Sequence, residues 1–181
     1  KLQSKNTIFL PGVIDYSNHV FHDKHKIRKV LEIDIETKLF CILGIAEIEY
    51  IDYKPFFSEI INLIKRGENI SIFVTGEKNF INGKLNDIFG DNLIYKGWLS
   101  NDKLYQYLSA TDVFLLPLEN SPKNLGRWPI KFNDFIFFKK PIITFRDHDI
   151  SDFFGEKEYI ITYSNIDSDE IKFVMKKAIS L

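Results

Sequence analysis

The sequence predicts an α/β fold built on a doubly wound parallel sheet. Short apolar segments of strand length alternate along the chain with segments whose apolar residues recur at helical spacing. Strands that are apolar on both faces are typical of parallel sheets, because helices cover both sides of such a sheet. The 181 residues are enough for one domain with a hydrophobic core.

The strands are predicted from runs of β-branched and aromatic residues bounded by glycine, proline or polar residues. They lie at residues 7–11, 39–44, 70–76, 92–97, 113–117, 141–145 and 159–163. Helices are predicted between them at residues 57–67, 80–88 and 100–108, from 129 onwards, and from 167 to 178. Gly67 closes the first helix, Ser100 can cap the third, and Asp167 with Glu170 forms a capping box for the last.

Composition excludes several classes of function. The formal net charge is −1, from 24 basic and 25 acidic residues, so no bulk field draws the chain to nucleic acid or to an anionic membrane. Cys41 is the single cysteine and lies in an apolar run, so we expect it to be buried and expect no disulfide framework within the chain. No apolar run approaches the ~18 residues of a membrane span, and we expect no signal peptide.

Two patterns suggest metal ligands without establishing a site. His19, His22 and His25 recur every three residues and could share a helix face, but no cysteine accompanies them, which favours exposed loop histidines. The D-x-D triplet at 147–149 is of a kind that can hold a divalent metal and a diphosphate. A second such triplet at 167–169 indicates that chance matches occur, so no metal site is predicted.

The residues that follow the strands are candidates for ligand binding, since ligands of such sheets bind outside the carboxyl ends of the strands. Gly44, Gly76 and Gly97 end three strands, where glycine allows a ligand or a backbone to approach closely, although it is also ordinary turn punctuation. Trp98 can stack on a nucleobase, or pack within the protein as tryptophan more often does. No G-x-G-x-x-G, P-loop or G-x-S-x-G motif is present, so the functions they carry are unsupported.

The helix predicted from residue 129 carries the most specific candidate site. Arg127, Lys131 and Asp134 are spaced i, i+4 and i+7 and can share one face, while the phenylalanines fall on the core-facing side. The helix N-terminus attracts an anion, the two cations neutralise it, and the carboxylate can accept hydrogen bonds from ribose hydroxyls. This arrangement is consistent with a receptor for a phosphorylated nucleoside, and equally with a solvated helix face bearing an ordinary salt bridge.

An ordered set of short segments carries a resemblance to a known family. They are FLPGVID at 9–15, YKP at 53–55, VTG at 74–76, YKGWLS at 95–100, LSATDVFLLP at 108–117, and RWPIKFND at 127–134 followed by KPII at 140–143. Their order and spacing resemble the C-terminal, donor-binding half of the family 4 (group 1) glycosyltransferases, which have the two-domain GT-B fold. The resemblance covers residues 7–165.

The resemblance implies a site for a nucleotide-diphosphate sugar, linked to UDP or GDP. The residues that match donor-binding positions are Lys54 and Lys131 for the diphosphate with Arg127 nearby, Asp134 for the ribose, Gly97 and Trp98 for the base, and Asn124 in the preceding loop. Lys131 and Arg127 would also act in catalysis. They would stabilise the negative charge that grows on the β-phosphate as the glycosidic bond breaks.

One position departs from the family's pattern. The first glutamate of the family's Glu-x7-Glu pattern contacts the transferred sugar, and Gly126 stands at that position. Glu119 and the loop 120–125 are the candidate substitutes. The departure keeps open an alternative, a non-catalytic nucleotide-sugar-binding module or a degenerate partner subunit. A phospho-receiver domain is a third alternative, but it needs an aspartate at the end of a central strand, where glycine or proline stands instead.

The resemblance also implies a domain organisation. Residues 1–20 match the inter-domain linker and a lead-in strand, and residues 21–181 match the nucleotide-sugar-binding Rossmann-like domain. We expect the acceptor-binding domain to precede Lys1 in a longer protein.

The implied enzyme is a retaining, metal-independent, hexosyltransferase-like glycosyltransferase without a cofactor, whose isolated donor domain binds the donor but transfers sugar poorly. Its expected partners are the missing domain and an acceptor glycan or lipid-linked sugar. Its expected location is cytoplasmic, with peripheral attachment to the inner membrane through the missing domain.

Overall fold

A computed structural model of the chain describes residues 15–47, 50–118, 124, 128–146, 150, 154 and 157–181. These residues form a six-stranded sheet in which all neighbouring strands are parallel. In chain order the strands are β1 (Lys38–Ile45), β2 (Ile70–Gly76), β3 (Leu93–Tyr95), β4 (Val113–Leu116), β5 (Ile142–Phe145) and β6 (Ile160–Tyr163). The predicted parallel sheet is confirmed, and the strand predicted at 7–11 lies outside the described residues.

The order of the strands in space is β3-β2-β1-β4-β5-β6. The chain therefore moves outwards from β1 through β2 and β3, and then returns to β4 on the other side of β1. This reversal of direction between β1 and β4 is the topological switch point of a doubly wound sheet. A crevice is expected there at the carboxyl ends of the two strands, because the connections leave them in opposite directions.

Helices cover both faces of the sheet. They are α1 (Lys24–Val30), α2 (Tyr50–Lys65), α3 (Lys78–Phe80), α4 (Asn86–Phe89), α5 (Asn101–Ala110), α6 (Ile130–Phe138) and α7 (Ser168–Ser180). A π-helical turn, Ile81–Leu85, joins α3 to α4, and 3-10 turns occur at Tyr16–Asn18 and Gly90–Asn92. Within the described residues, no helix has both the length and the apolar character that crossing a membrane requires.

Strand β1 shows how the sheet divides the core in two. Phe40 and Ile42 pack with residues of α2 and α7 in one buried cluster, whereas Leu39, Cys41 and Leu43 pack with α1, α5 and α6 in the other. Alternate residues of a strand point to opposite faces, and both faces are covered here, which explains the unbroken apolar run. The predicted burial of Cys41 is confirmed, and this burial raises the pKa of its thiol.

Two helices differ from the prediction. Helix α1 lies where the sequence predicts a loop or linker, and Asp23 caps it by accepting a hydrogen bond from the Lys26 N–H at 2.8 Å. Helix α2 begins earlier than residue 57, because Tyr53 and Phe56 also face the core and extend the apolar stripe. Pro55 therefore lies within this helix.

The buried face of α1 carries a charged residue, Arg28, which is 1% exposed. Its guanidinium donates hydrogen bonds to Ala110 O at 2.9 Å, to Thr37 O at 2.7 Å and to Asp112 Oδ2 at 2.5 Å. A buried cation is tolerated only with such partners. These bonds tie α1 to the end of α5 and to the segment that enters β1.

Candidate functional site

A pocket of about 200 Å³ opens at the carboxyl edge of the sheet, beside the end of β1. Its lining residues come from five parts of the fold and are Leu43, Gly44, Thr75, Trp98, Leu99, Leu104 and Lys131. They follow or end β1, β2 and β3, or lie on α5 and α6. The pocket is therefore close to the topological switch point, where ligands of doubly wound sheets bind.

Backbone forms the floor of this pocket. Gly44 has a φ of +62°, and the pairing of β1 with β2 shifts register between Ile42 and Ile45. The Gly44 N–H donates a hydrogen bond to the Thr75 Oγ1 at 2.9 Å, which holds the bulge in place. Across the bulge, a Cβ on Gly76 would lie 2.1 Å from Ile45 O, so glycine is required there for the two backbones to approach.

Lys131 brings a positive charge to this floor. It is the second residue of α6, and its Nζ donates a hydrogen bond to Leu43 O at 2.6 Å. A Cβ on Gly44 would lie 4.0 Å from the same Nζ. Pro129 occupies the N-cap position of α6 and gives the helix no side-chain cap. The ammonium and the positive end of the helix dipole thus lie at the same side of the pocket.

Trp98 forms the exposed wall of the pocket. It is 82% exposed, so the interpretation of a packed tryptophan is wrong for this residue. Gly97 precedes it with a φ of +63°, a conformation that glycine adopts without strain. Leu99 and Leu104 continue the apolar lining beside the indole. An indole held at the edge of an apolar pocket is suited to stacking on a flat ring.

Asp134 does not line this pocket. Its Oδ1 lies 2.9 Å from His19 Nε2, and the His19 side chain is 4% exposed. His19 stacks on Tyr105 with ring centroids 4.6 Å apart. Burial, followed by the charge of Asp134, raises the pKa of Tyr105. Residues three apart on a helix differ in direction by about 60°, so Lys131 can face the pocket while Asp134 faces the segment before α1.

The other predicted site residues are placed differently. Lys54 is exposed on α2 and is not among the residues that line the pocket. Asn124 is buried, at 4% exposure. Arg127, Gly126 and the other residues of 119–127 except Asn124 lie outside the described residues, as does the triplet at 147–149. The donor-binding roles of these residues stay predictions.

Four of the residues that line the pocket were not predicted from the sequence. Leu43 and Thr75 directly precede Gly44 and Gly76, and Leu99 directly follows Trp98. Their positions next to strand-ending glycines were a usable signal, because neighbours of a strand end share its edge of the sheet. Leu104 lies on α5 and carries no such signal.

The predicted histidine pattern does not assemble into a metal site. His19 is engaged with Asp134 and buried aromatic rings, so the interpretation of an exposed loop histidine is wrong for it. His25 lies in α1, and the His22 N–H donates to Ser109 Oγ at 3.0 Å. In the part of the chain that the structure describes, no group of three or more His, Cys, Asp and Glu residues could hold a metal ion.

The strand order, the parallel pairing and the pocket at the switch point define a Rossmann-like domain. Among solved structures, the fold is that of the C-terminal domain of group 1 glycosyltransferases of GT-B architecture. The C-terminal domain of LpcC, a glycosyl transferase group 1 family protein from Francisella tularensis, matches with a TM-score of 0.66 at 13% identity. The match covers 93% of this chain and 89% of that domain. The resemblance drawn from the sequence is thus confirmed for the fold.

Two longer proteins match at similar levels. WaaG, a glycosyltransferase involved in lipopolysaccharide biosynthesis, gives a TM-score of 0.65 at 15% identity over 94% of this chain. Sucrose-phosphate synthase from Thermosynechococcus elongatus gives 0.62 at 13% identity over 88% of this chain. The chain spans 46% of WaaG and 40% of the synthase. No family model matches the chain, and no curated protein matches its sequence.

Proposed function

We propose that this chain is the donor-binding domain of a glycosyltransferase and that the pocket at the carboxyl edge binds a nucleoside-diphosphate sugar, linked to UDP or GDP. The observation that carries the proposal is the joint position of Trp98 and Lys131. One pocket holds an exposed indole at its wall and an ammonium at its floor. A nucleoside diphosphate presents the matching pair of groups, a flat base and a multiply charged anion.

Each part of the ligand has a partner with suitable chemistry. The base stacks on the Trp98 indole, with Leu99 and Leu104 excluding water from its edge. The diphosphate lies against the Lys131 ammonium and the first turn of α6, where backbone N–H groups and the helix dipole favour an anion. Gly44 leaves the space above the floor open, since any side chain there would lie beside the Lys131 Nζ.

Asp134 is proposed to contact the ribose from outside the lining of this pocket, where His19 is its neighbour. The carboxylate accepts a hydrogen bond from His19, yet its two oxygens can accept about four hydrogen bonds in all. The contact with His19 therefore does not exclude a ribose hydroxyl. Lys54 and Asn124 are proposed to complete the donor site, together with Arg127.

The proposed reaction is transfer of the glycosyl group with retention of configuration and without a metal ion. Negative charge grows on the β-phosphate as the glycosidic bond breaks, and a cation that binds this charge more tightly than the ground state lowers the barrier. Lys131 and Arg127 are the residues proposed for this role. The acceptor, a glycan or a lipid-linked sugar, is proposed to bind to a second domain, since the chain spans less than half of WaaG and of sucrose-phosphate synthase.

A thermal-shift panel tests the proposal. UDP, GDP and their sugar conjugates should raise the melting temperature, because a ligand that binds only the folded state stabilises it by mass action. Uridine and guanosine without phosphate are the matched controls and should give little shift. The proposal is contradicted if no nucleoside diphosphate raises the melting temperature more than the nucleoside controls do at the same concentration.

Gly126 favours a second candidate function, a nucleotide-sugar-binding module without catalysis. The position that carries a sugar-contacting glutamate in the resembled family has no side chain here. A transferase assay on a protein that contains both this domain and its acceptor partner separates the two functions. Donor binding without turnover across a panel of donors would favour the module.

A further inference from the structure

A second pocket of about 250 Å³ lies at the opposite edge of the sheet from the proposed donor site. Lys38 begins β1 there, and Pro141 directly precedes β5. Four lysines contribute to its lining, together with Thr111 and Asp112, and they are Lys24, Lys38, Lys139 and Lys140. The whole chain has a formal charge of −1, so four lysines around one acidic side chain are a strong local departure.

The single acidic side chain of the pocket is already neutralised. Asp112 accepts hydrogen bonds from the Lys24 ammonium, from Arg28 Nη2 at 2.5 Å and from the Leu39 N–H at 2.7 Å. Burial alone would raise the pKa of Asp112, but these donors outweigh it and lower the pKa. The buried charge of Arg28 thus balances Asp112, and no other acidic side chain contributes to the lining.

Lys140 lies among other cations in a partly dry environment. Its ammonium donates hydrogen bonds to Ser109 O at 2.5 Å and to Thr111 O, the carbonyl groups at the end of α5. Burial lowers the pKa of Lys140 to about 8; Asp112 opposes this effect, and the charges of Lys24 and Arg28 add to it. A bound anion would relieve this repulsion.

We propose that this pocket binds a phosphate-bearing anion, in the form of a phosphomonoester or a diphosphate. Several ammonium groups match the several negative charges of phosphate, and lysine is a frequent point-charge partner of phosphate in proteins. Lys24 and Lys140 are held in place by Asp112 and by the α5 carbonyls, so the site is partly organised before binding. The volume is several times the ~30 Å³ that one water molecule occupies in the liquid.

Calorimetric titration with inorganic pyrophosphate tests the proposal. The titration is made in a Lys131→Ala background, so that the donor pocket does not compete. The test variant combines Lys38→Gln and Lys139→Asn, which remove two positive charges. In the described contacts, neither lysine donates a hydrogen bond to a backbone carbonyl. Lys139 has a φ of +51°, a conformation that asparagine tolerates well. The expected result is a loss of at least about tenfold in affinity for pyrophosphate.

Three controls make the result specific. Lys65→Gln removes an exposed charge at the end of α2 and should leave pyrophosphate binding unchanged. Lys38→Arg in place of Lys38→Gln should restore most of the affinity if charge is what matters. The loss of UDP or GDP affinity caused by Lys131→Ala should be the same in the double variant as in the wild type. Failure of this proposal is therefore distinguishable from failure of the proposed donor function.

A second readout follows Lys140 itself. Its pKa, measured by ¹³Cε NMR, should rise towards the ordinary lysine value when pyrophosphate binds. Co-sedimentation with phosphatidic acid vesicles, against phosphatidylcholine vesicles as the control, distinguishes a lipid phosphate from a soluble one. Vesicle binding that the double variant abolishes identifies a lipid source, and binding of pyrophosphate alone identifies a soluble source. The proposal is overturned if the anions do not bind, or if they bind the double variant as tightly as its Lys131→Ala parent.

Discussion

At the scale of single residues, the exposed indole of Trp98 is the most informative side chain of the proposed donor pocket. An exposed tryptophan contributes little to the core, so its removal should change ligand binding more than stability. Lys131 gives the matching charge at the floor of the same pocket. Both residues were predicted from the sequence, Trp98 by its position after a strand-ending glycine and Lys131 by its place in the first turn of a helix.

Trp98→Ala should weaken binding of UDP or GDP by about 5- to 150-fold, since stacking of a base on an aromatic ring contributes ~1–3 kcal/mol. Trp98→Phe should retain part of the affinity. The free energy of unfolding should change by less than about 0.5 kcal/mol in both variants. Phe173→Ala removes another exposed aromatic residue, on α7, and is the matched control for calorimetry. If Trp98→Ala and the wild type bind the nucleotide with equal affinity, the indole does not contribute to the site.

Gly44→Ala should lower the free energy of unfolding by about 1–2 kcal/mol, because its φ of +62° is strained for any residue with a Cβ. The added methyl group would also lie beside the Lys131 Nζ, so nucleotide affinity should fall. Gly76→Ala should be more destabilising, since its Cβ would overlap the backbone of Ile45. Urea unfolding measures the stability of the wild type and of the two variants. An unchanged free energy of unfolding in Gly44→Ala would contradict the described bulge.

At the scale of secondary structure elements, the strands were predictable and one helix was not. The strands are buried on both faces, so their apolar runs stand out from the surrounding sequence. Helix α1 was missed because its buried face contains Arg28 beside Ile27, and a pattern of apolar residues counts an arginine as exposed. The contact of His19 with Asp134 was also beyond prediction, since it joins residues 115 apart in the sequence.

Arg28→Ala should destabilise the fold by about 3–5 kcal/mol, because it leaves Asp112 and several carbonyl groups without their buried partner. Arg28→Lys should rescue little, since an ammonium cannot reproduce the planar set of donors. Lys29→Ala changes an exposed neighbour on the same helix and is the control. Urea unfolding is the measurement. A loss below about 1 kcal/mol for Arg28→Ala would show that α1 does not depend on this cluster.

The same cluster predicts a pH dependence. The folded state lowers the pKa of Asp112, so its contribution is complete above the unfolded value of about 3.9 and is lost as pH falls through the folded pKa. The difference in unfolding free energy between the wild type and Asp112→Asn should therefore be largest near neutral pH and should shrink in acid. Urea unfolding at a series of pH values from about 7 to about 3 tests this. A difference that stays constant over the series would contradict the assignment.

At the scale of the whole molecule, the order of the strands explains where the proposed site lies. The sequence was sufficient to predict the doubly wound sheet and the edge where the ligand is proposed to bind, because strand ends and glycines are local signals. It was insufficient to predict which side chains converge, since Lys131 faces the pocket and Asp134, three residues later, faces His19. The formal net charge of −1 likewise gives no sign of the basic pocket at one edge of the sheet. The clustering of charged side chains and the contacts between them depend on how distant elements pack. Composition carries no information about this packing.

Lys131 is proposed to hold the diphosphate of a nucleotide in the pocket at the carboxyl edge. Isothermal titration of UDP and GDP into the wild type, Lys131→Ala and the exposed-lysine control Lys65→Ala tests it most directly. We expect one of the two nucleotides to bind the wild type and Lys65→Ala equally, and Lys131→Ala to lose about 10- to 100-fold in affinity. Equal affinity of Lys131→Ala and the wild type, or no binding of either nucleotide, would contradict it.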